Sequence, residues 1–198
     1  ALSLAIAHCS CGYGLFIYQA WLPNFCVHQY GLSIDQAAAL AIGPWLVQAF
    51  TTAGAGALAD FLISRGTLDR TDTRKLMQSI GALVPAALLT LFAVNPPGDV
   101  REAIALLVAC FAALGFQGAG FGGNHADISP KYAGGMFGVT NALASICGTL
   151  GIYLTGVLLQ VSSGDWSSTF AIISVVYVIG WAVFMAWGSG EEQEFDKM

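Results

Sequence analysis

No charged side chain occurs in residues 132–164, and residues 1–34, 36–59, 76–98, 103–126 and 166–190 are equally free of Asp, Glu, Lys and Arg. A helix needs about 20 apolar residues to cross a hydrocarbon core about 30 Å thick. Each of these stretches exceeds that length. They run on without the two-residue alternation of a membrane β-strand. The fold class they predict is an all-α membrane protein of six transmembrane helices. Charges and breakers place the spans at about 1–28, 36–62, 75–94, 102–124, 133–159 and 168–188, with an acidic tail at 189–198. The composition agrees: charged residues make up 10% of the chain, against about 25% in soluble domains.

Sidedness follows from the cations. The link after the second span holds Arg65, Arg70, Arg74 and Lys75, the link after the fourth holds Lys131, and the tail holds Lys197; the opposite face has only Arg101. Short links make neighbouring helices antiparallel. The positive-inside rule then puts both ends on the cytoplasmic side or its topological equivalent. Ala1 already lies in an apolar run, without a basic n-region or cleavage site, so the expectation is a longer protein entered midway.

Several function classes are disfavoured. No basic patch marks a nucleic-acid surface. The five cysteines, Cys9, Cys11, Cys26, Cys110 and Cys147, lie in or beside apolar runs and read as buried small side chains. His8 and Cys11 share a helix face, but two ligands do not complete a metal site. No intramembrane Ser–His pair or aspartate pair marks a protease. The expectation is a non-enzyme with no metal and no cofactor.

Polar groups inside spans need partners or a wet cavity. Gln19 precedes Pro23 in "AWLPNF" and is flanked by Tyr13 and Tyr18; Gln48, Gln117 and Asn141 are the other amides. On the fifth span Gly134, Gly138, Asn141, Ser145 and Gly148 recur at helical spacing, which reads as a packing seam or as the lining of a path. Gly118 and Gly122 form a further small-residue pair. Asp60 falls at the C-terminal end of its helix, where the dipole disfavours an anion. A contact with Arg65 that forms and breaks would serve a gate; a solvated surface acid is the alternative. The stretch "GGNHADISPKYAGG" at 122–135 reads as a polar link between the fourth and fifth spans. Its His125 either titrates near neutral pH or is simply hydrogen-bonded in the turn.

Five stretches carry a resemblance. "GALADFLISRG" resembles the loop motif repeated in each half of the major facilitator superfamily. "AWLPNF", "RKLMQSIG", "NHADISPKYAGGMFGVTNALASICGTLG" and "WGSGEEQEF" together resemble the anion:cation symporter family. That family includes vesicular glutamate transporters, sialin, sodium–phosphate cotransporters and plastid phosphate transporters. The likeness covers nearly the whole chain and falls on the family's C-terminal six-span half-bundle. It implies alternating access between two six-helix halves, a small anion as substrate, and H+ or Na+ as coupling ion. The family's motif residues map to Asn124, His125, Asp127, Ile128 and Pro130, and to Gly138 and Asn141. The vesicular glutamate members place an arginine near Cys11, and this chain has none, which counts against glutamate; "WLP" is closer to the phosphate-type and sialin-type members, and inorganic phosphate ranks first.

On this reading Gln19, Gln117 and Asn141 line the substrate path. Asp60, Arg65, Arg74, Lys75, Asn124, His125 and Asp127 gate or couple, and Gly118, Gly122, Gly134, Gly138 and Gly148 pack helices. The partners are the lipid bilayer and an N-terminal half, whose arginines would meet the anion's charge. The membrane is the plastid envelope, a vesicle or lysosome, or the plasma membrane. Alternatives are an organic anion (sialate, glutamate or ascorbate) or a non-transporting receptor or scaffold.

Overall fold

The structure, a computed structural model, describes residues 1–193, and its regular elements are all helical. They are α1 (Leu2–Tyr30), α2 (Ile34–Ser64), α3 (Arg70–Val94), α4 (Val100–Leu114), a π-helical segment (Gly118–Gly122), α5 (Gly123–Ile128), α6 (Ala133–Val161) and α7 (Ser167–Trp187). By length and apolarity α2, α3, the rod Val100–Ile128, α6 and α7 can each cross a membrane. The 29-residue α1 is more polar, burying Ser3, His8 and Ser10. The chain is an integral, multi-pass membrane protein.

Local chemistry sets the short links. Gly31 ends α1 in the left-handed conformation (φ 66°), and its N–H donates to the Val27 carbonyl at 2.9 Å. Two residues later Ser33 and Gln36 form a reciprocal capping box on α2. Ser33→Ala should cost about 1 kcal/mol, read as a small fall in the unfolding temperature of the intact protein. Asp69 caps α3 by accepting from Asp72 N–H, and Asp99 caps α4 by accepting from the N–H groups of Arg101 and Glu102. The Glu102 and Arg101 donors hold the Asp99 carboxyl below its ordinary range. That cap is therefore intact at neutral pH and weakens on acidification through the lowered value.

At the centre, α1 packs against α6, α7 and α2, while α3 packs against α7 and α4. Phe25, Phe92, Trp166 and Phe170 form an aromatic cluster at one end. Close approach along α1 and α6 uses small residues. A Cβ on Gly12 would stand 2.9 Å from the Ala144 carbonyl oxygen, and one on Gly151 2.9 Å from the Tyr13 ring. Thr140, Ala144, Gly148, Gly151 and Thr155 are the buried residues of α6. The seam therefore lies one residue round from the stripe read in the sequence. Only Gly148 belongs to both.

The fourth span also differs from expectation. It continues through Asn124, His125, Asp127 and Ile128, all buried, and turns only at 129–132. A π turn takes up the glycines of "GAGFGG" without ending the helix. The tail folds back: Gly190 N–H donates to Thr71 Oγ1 and Gln193 N–H to the Ile128 carbonyl. Residues 194–198 of the acidic tail, including Lys197, lie outside the described residues.

Candidate functional site

Two polar clusters converge on the π segment. In the first, the α3 residue Arg74 meets Asp127 of α5 two-handed, Nε to Oδ2 at 2.5 Å and Nη2 to Oδ1 at 3.3 Å. Its Nη1 donates to the Ala119 carbonyl at 2.8 Å, inside the π segment. The fork geometry matches a carboxylate, and the side chains are only 10% and 11% exposed. Gly123 gives the guanidinium room, since a Cβ there would lie 2.7 Å from Nη1. One turn on, Gln78 Nε2 donates to Gln117 Oε1 at 3.4 Å, and Gln117 Nε2 donates to the Gly81 carbonyl at 2.8 Å. Gln78 Oε1 accepts from Phe121 N–H at 3.3 Å. These bonds tie the widened backbone of the π segment to α3.

The second cluster joins α1, α5 and α6. Thr140 Oγ1 lies 2.9 Å from His8 Nδ1 and 2.8 Å from His125 Nε2, while His125 Nδ1 lies 3.0 Å from the Gly122 carbonyl oxygen. Phe121 and Phe137 pack on these rings. Beside it Asn124 is buried, and its Oδ1 has no hydrogen-bond partner. Such an atom carries a desolvation cost of about 1–3 kcal/mol.

The residues assigned from sequence thus separate. Gln117 is 1% exposed and clasped to α3. Gln19 and Asn141 are exposed on the outer faces of α1 and α6. Asp60 is exposed and makes no ion pair with Arg65, whose guanidinium instead stacks on the Phe61 ring at 5.2 Å. Arg74 and Asp127 neutralise each other inside the bundle rather than standing free, whereas Lys75 is half-buried and has no ion pair among the described residues. Gly118 lies against Thr52 of α2 and Gly148 against Phe16. Gly134 and Gly138 meet nothing within 4 Å, and Gly122 meets only Gln117 of its own rod, at 3.7 Å. Sequence reasoning missed Gln78, hidden in a cluster that reads as a basic span end, and Thr140, one residue before the more conspicuous Asn141.

α2 and α6 leave long flanks uncovered. Ile42, Leu46 and Phe50 on α2 and Val139, Ile146, Leu150 and Tyr153 on α6 are exposed. Within the α6 flank, Ser145 Oγ donates to the Asn141 carbonyl and Thr149 Oγ1 to the Ser145 carbonyl, both at 2.8 Å, making a polar line at four-residue spacing.

No protein-family model matches the chain. It is similar to "Probable anion transporter 4, chloroplastic" of Oryza sativa subsp. japonica, with 34% identity over 96% of this chain and 31% of that protein. "Ascorbate transporter, chloroplastic" of Arabidopsis thaliana is 34% identical over 96% of this chain and 34% of its own length. "Sodium-dependent phosphate transport protein 1, chloroplastic", also of Arabidopsis thaliana, is 32% identical over 96% and 36%. The chain spans about a third of the length of these curated relatives.

Proposed function

We propose that this homologue of the plant anion transporters is the C-terminal six-helix half of an anion:cation symporter, moving a small anion by alternating access. The supporting observation is the uncovered flank of α6. It carries Asn141, Ser145 and Thr149 among exposed apolar residues, in a chain matched over 96% of its length by anion transporters. A flank of that kind suits a second helical half, with substrate between the two near the midplane. Asn141 supplies neutral hydrogen bonds to the anion, and Gln19 does so from α1. Neither α2 nor α6 bears a cation within its uncovered apolar stretch, so arginines of the remaining sequence balance the anion's charge. Gly134 and Gly138 present bare backbone to that half, and Asp60, Arg65 and Lys75 gate its basic end.

Inorganic phosphate is the first substrate and ascorbate the second. The relatives named for these two are 32% and 34% identical to the chain. The test is uptake of labelled phosphate and labelled ascorbate by the full-length protein in liposomes, under a proton or a sodium gradient. Asn141→Leu is expected to reduce uptake roughly tenfold or more, since a hydrogen bond to a charged group contributes about 1.5–3 kcal/mol. Unchanged uptake by the membrane-inserted variant removes Asn141 from the path. Uptake of neither anion by the wild type removes both substrates.

A further inference from the structure

We propose that His8, Thr140 and His125 form a single-proton site, in which the Thr140 hydroxyl relays a proton between an imidazole on α1 and an imidazole on α5. The inference starts from hydrogen-bond chemistry. His125 Nδ1 faces the Gly122 carbonyl, which only accepts, so Nδ1 carries a hydrogen. His125 Nε2 and His8 Nδ1 face one and the same hydroxyl oxygen. That hydroxyl has a single hydrogen, and the Phe137 carbonyl, 3.1 Å away, also accepts from it.

With both rings neutral, one arrangement satisfies both imidazole contacts, at the expense of the Phe137 carbonyl. Thr140 O–H donates to His125 Nε2, and His8 Nδ1–H donates to Thr140 Oγ1. Any arrangement in which Thr140 donates to His8 or to Phe137 requires a hydrogen on both nitrogens of His125, which makes it an imidazolium. The hydroxyl's direction therefore reports whether His125 is charged.

A proton arriving at His8 Nε2 charges that ring first. Transfer then breaks the His8 Nδ1–H bond and forms a new O–H bond on Thr140, while the old O–H bond breaks and a new N–H bond forms at His125 Nε2. His8 ends neutral with its hydrogen on Nε2, and His125 ends positive with both nitrogens hydrogenated. No atom or electron is left over, and no heavy atom moves far.

The surroundings limit the pair to one charge. The ring centroids are 5.9 Å apart, and two imidazolium charges at that distance in a buried site repel strongly. Phe121 lies 4.7 Å from the His8 ring, and Phe137 lies 5.2 Å from both rings, presenting aromatic faces and edges to whichever ring is charged. Of the titratable groups on these elements, Cys11 of α1 borders the adjoining apolar cluster and Asp127 of α5 lies two residues from His125. Asp127 is already neutralised by Arg74 of α3. The π segment, α6 and α7 bring Phe121, Met136 and Phe184 to the adjoining cluster. Because the three residues sit on α1, α5 and α6, gaining the proton changes the bonding between α1 and the α5–α6 pair. In the transport reading, on which only this consequence rests, that couples proton binding to the movement of α1.

The experiment is a nuclear magnetic resonance titration of ring-labelled histidine in the full-length protein, with His8→Gln and His125→Gln used to assign the signals. The wild type is expected to take up one proton shared by the two rings, with linked titrations. Thr140→Ser should keep the linkage. Thr140→Val should break it and reduce proton-driven uptake by on the order of 10²-fold. If Thr140→Val does not fold, His8→Gln decides: His125 then titrates alone in a single step, and the linkage seen in the wild type is lost. Two protons bound by the wild-type pair, or titrations of His125 unchanged in both Thr140→Val and His8→Gln, overturn the proposal. Absence of uptake by the wild type counts against the transport reading alone, because the titration decides the proton site by itself.

Discussion

Asp127→Ala is expected to destabilise the protein by about 3–5 kcal/mol, the cost of leaving a buried charge without its partner. Arg74 reaches Asp127 from the second turn of α3, and among the described residues its other hydrogen bond goes to the Ala119 carbonyl. Remaining buried, its guanidinium would have to draw in water or swing out past the π segment. Replacing both members, Arg74→Met with Asp127→Leu, should recover most of the loss, because an apolar pair of similar size pays no desolvation. Thermal unfolding of the purified full-length protein in detergent measures both. If the double variant is no more stable than Asp127→Ala, the pair has a further structural part that burial and charge do not explain.

Gly120→Ala should cost about 3 kcal/mol, the upper range for overpacking. A Cβ at that position would stand 2.7 Å from Gln78 Oε1 and 2.9 Å from the Gln78 backbone nitrogen. A side chain can move aside, but the α3 backbone cannot, so the π segment must lift off α3. Lifting it breaks the bonds from Gln78 to Phe121 and from Gln117 to Gly81 as well. The control is Gly138→Ala. With nothing within 4 Å in this bundle, it should leave unfolding of the helical bundle within about 0.5 kcal/mol of wild type. The same melting experiment checks both. Equal effects from the two alanines would mean that the π segment does not rest on α3 as closely as the structure places it.

These sites were legible to different degrees, for physical reasons. Lipid demands long uncharged runs, so the helical rods stand out in the sequence. Two small-residue lines run along α6 at the same spacing, and the one buried against α1 is not the stripe that stands out in the sequence. Periodicity gives a face but not the neighbour it meets: Thr140, Ala144 and Gly148 turn to α1, whereas Gly138 and Asn141 turn outward. Arg74 and Asp127 were each conspicuous as charges, yet 53 positions separate them, and nothing local pairs them. Gln78 looked like part of a basic span end because Arg74 and Lys75 precede it. His8 and His125 attracted attention singly, while the hydroxyl between them belongs to a threonine with no motif of its own. The stretch 122–135 read as a link because Asn124, His125 and Asp127 interrupt the apolar run. Here a rod continues, and its polar side chains find partners inside the bundle.

The π segment holds one residue more than an α-helix of the same rise would need. Each residue of an α-helix advances about 100° around the axis, so the extra residue sets the rotational phase of everything after it. Deleting one residue between Gly118 and Gly122 would straighten the rod and carry Asp127 and His125 about a quarter-turn away from Arg74 and Thr140. Both polar clusters would be lost together, although neither had been touched. A lineage in which this rod reverted to plain α geometry would have to rebuild both contacts at once, so the glycine run works as a timing mark that keeps two separate contacts in step.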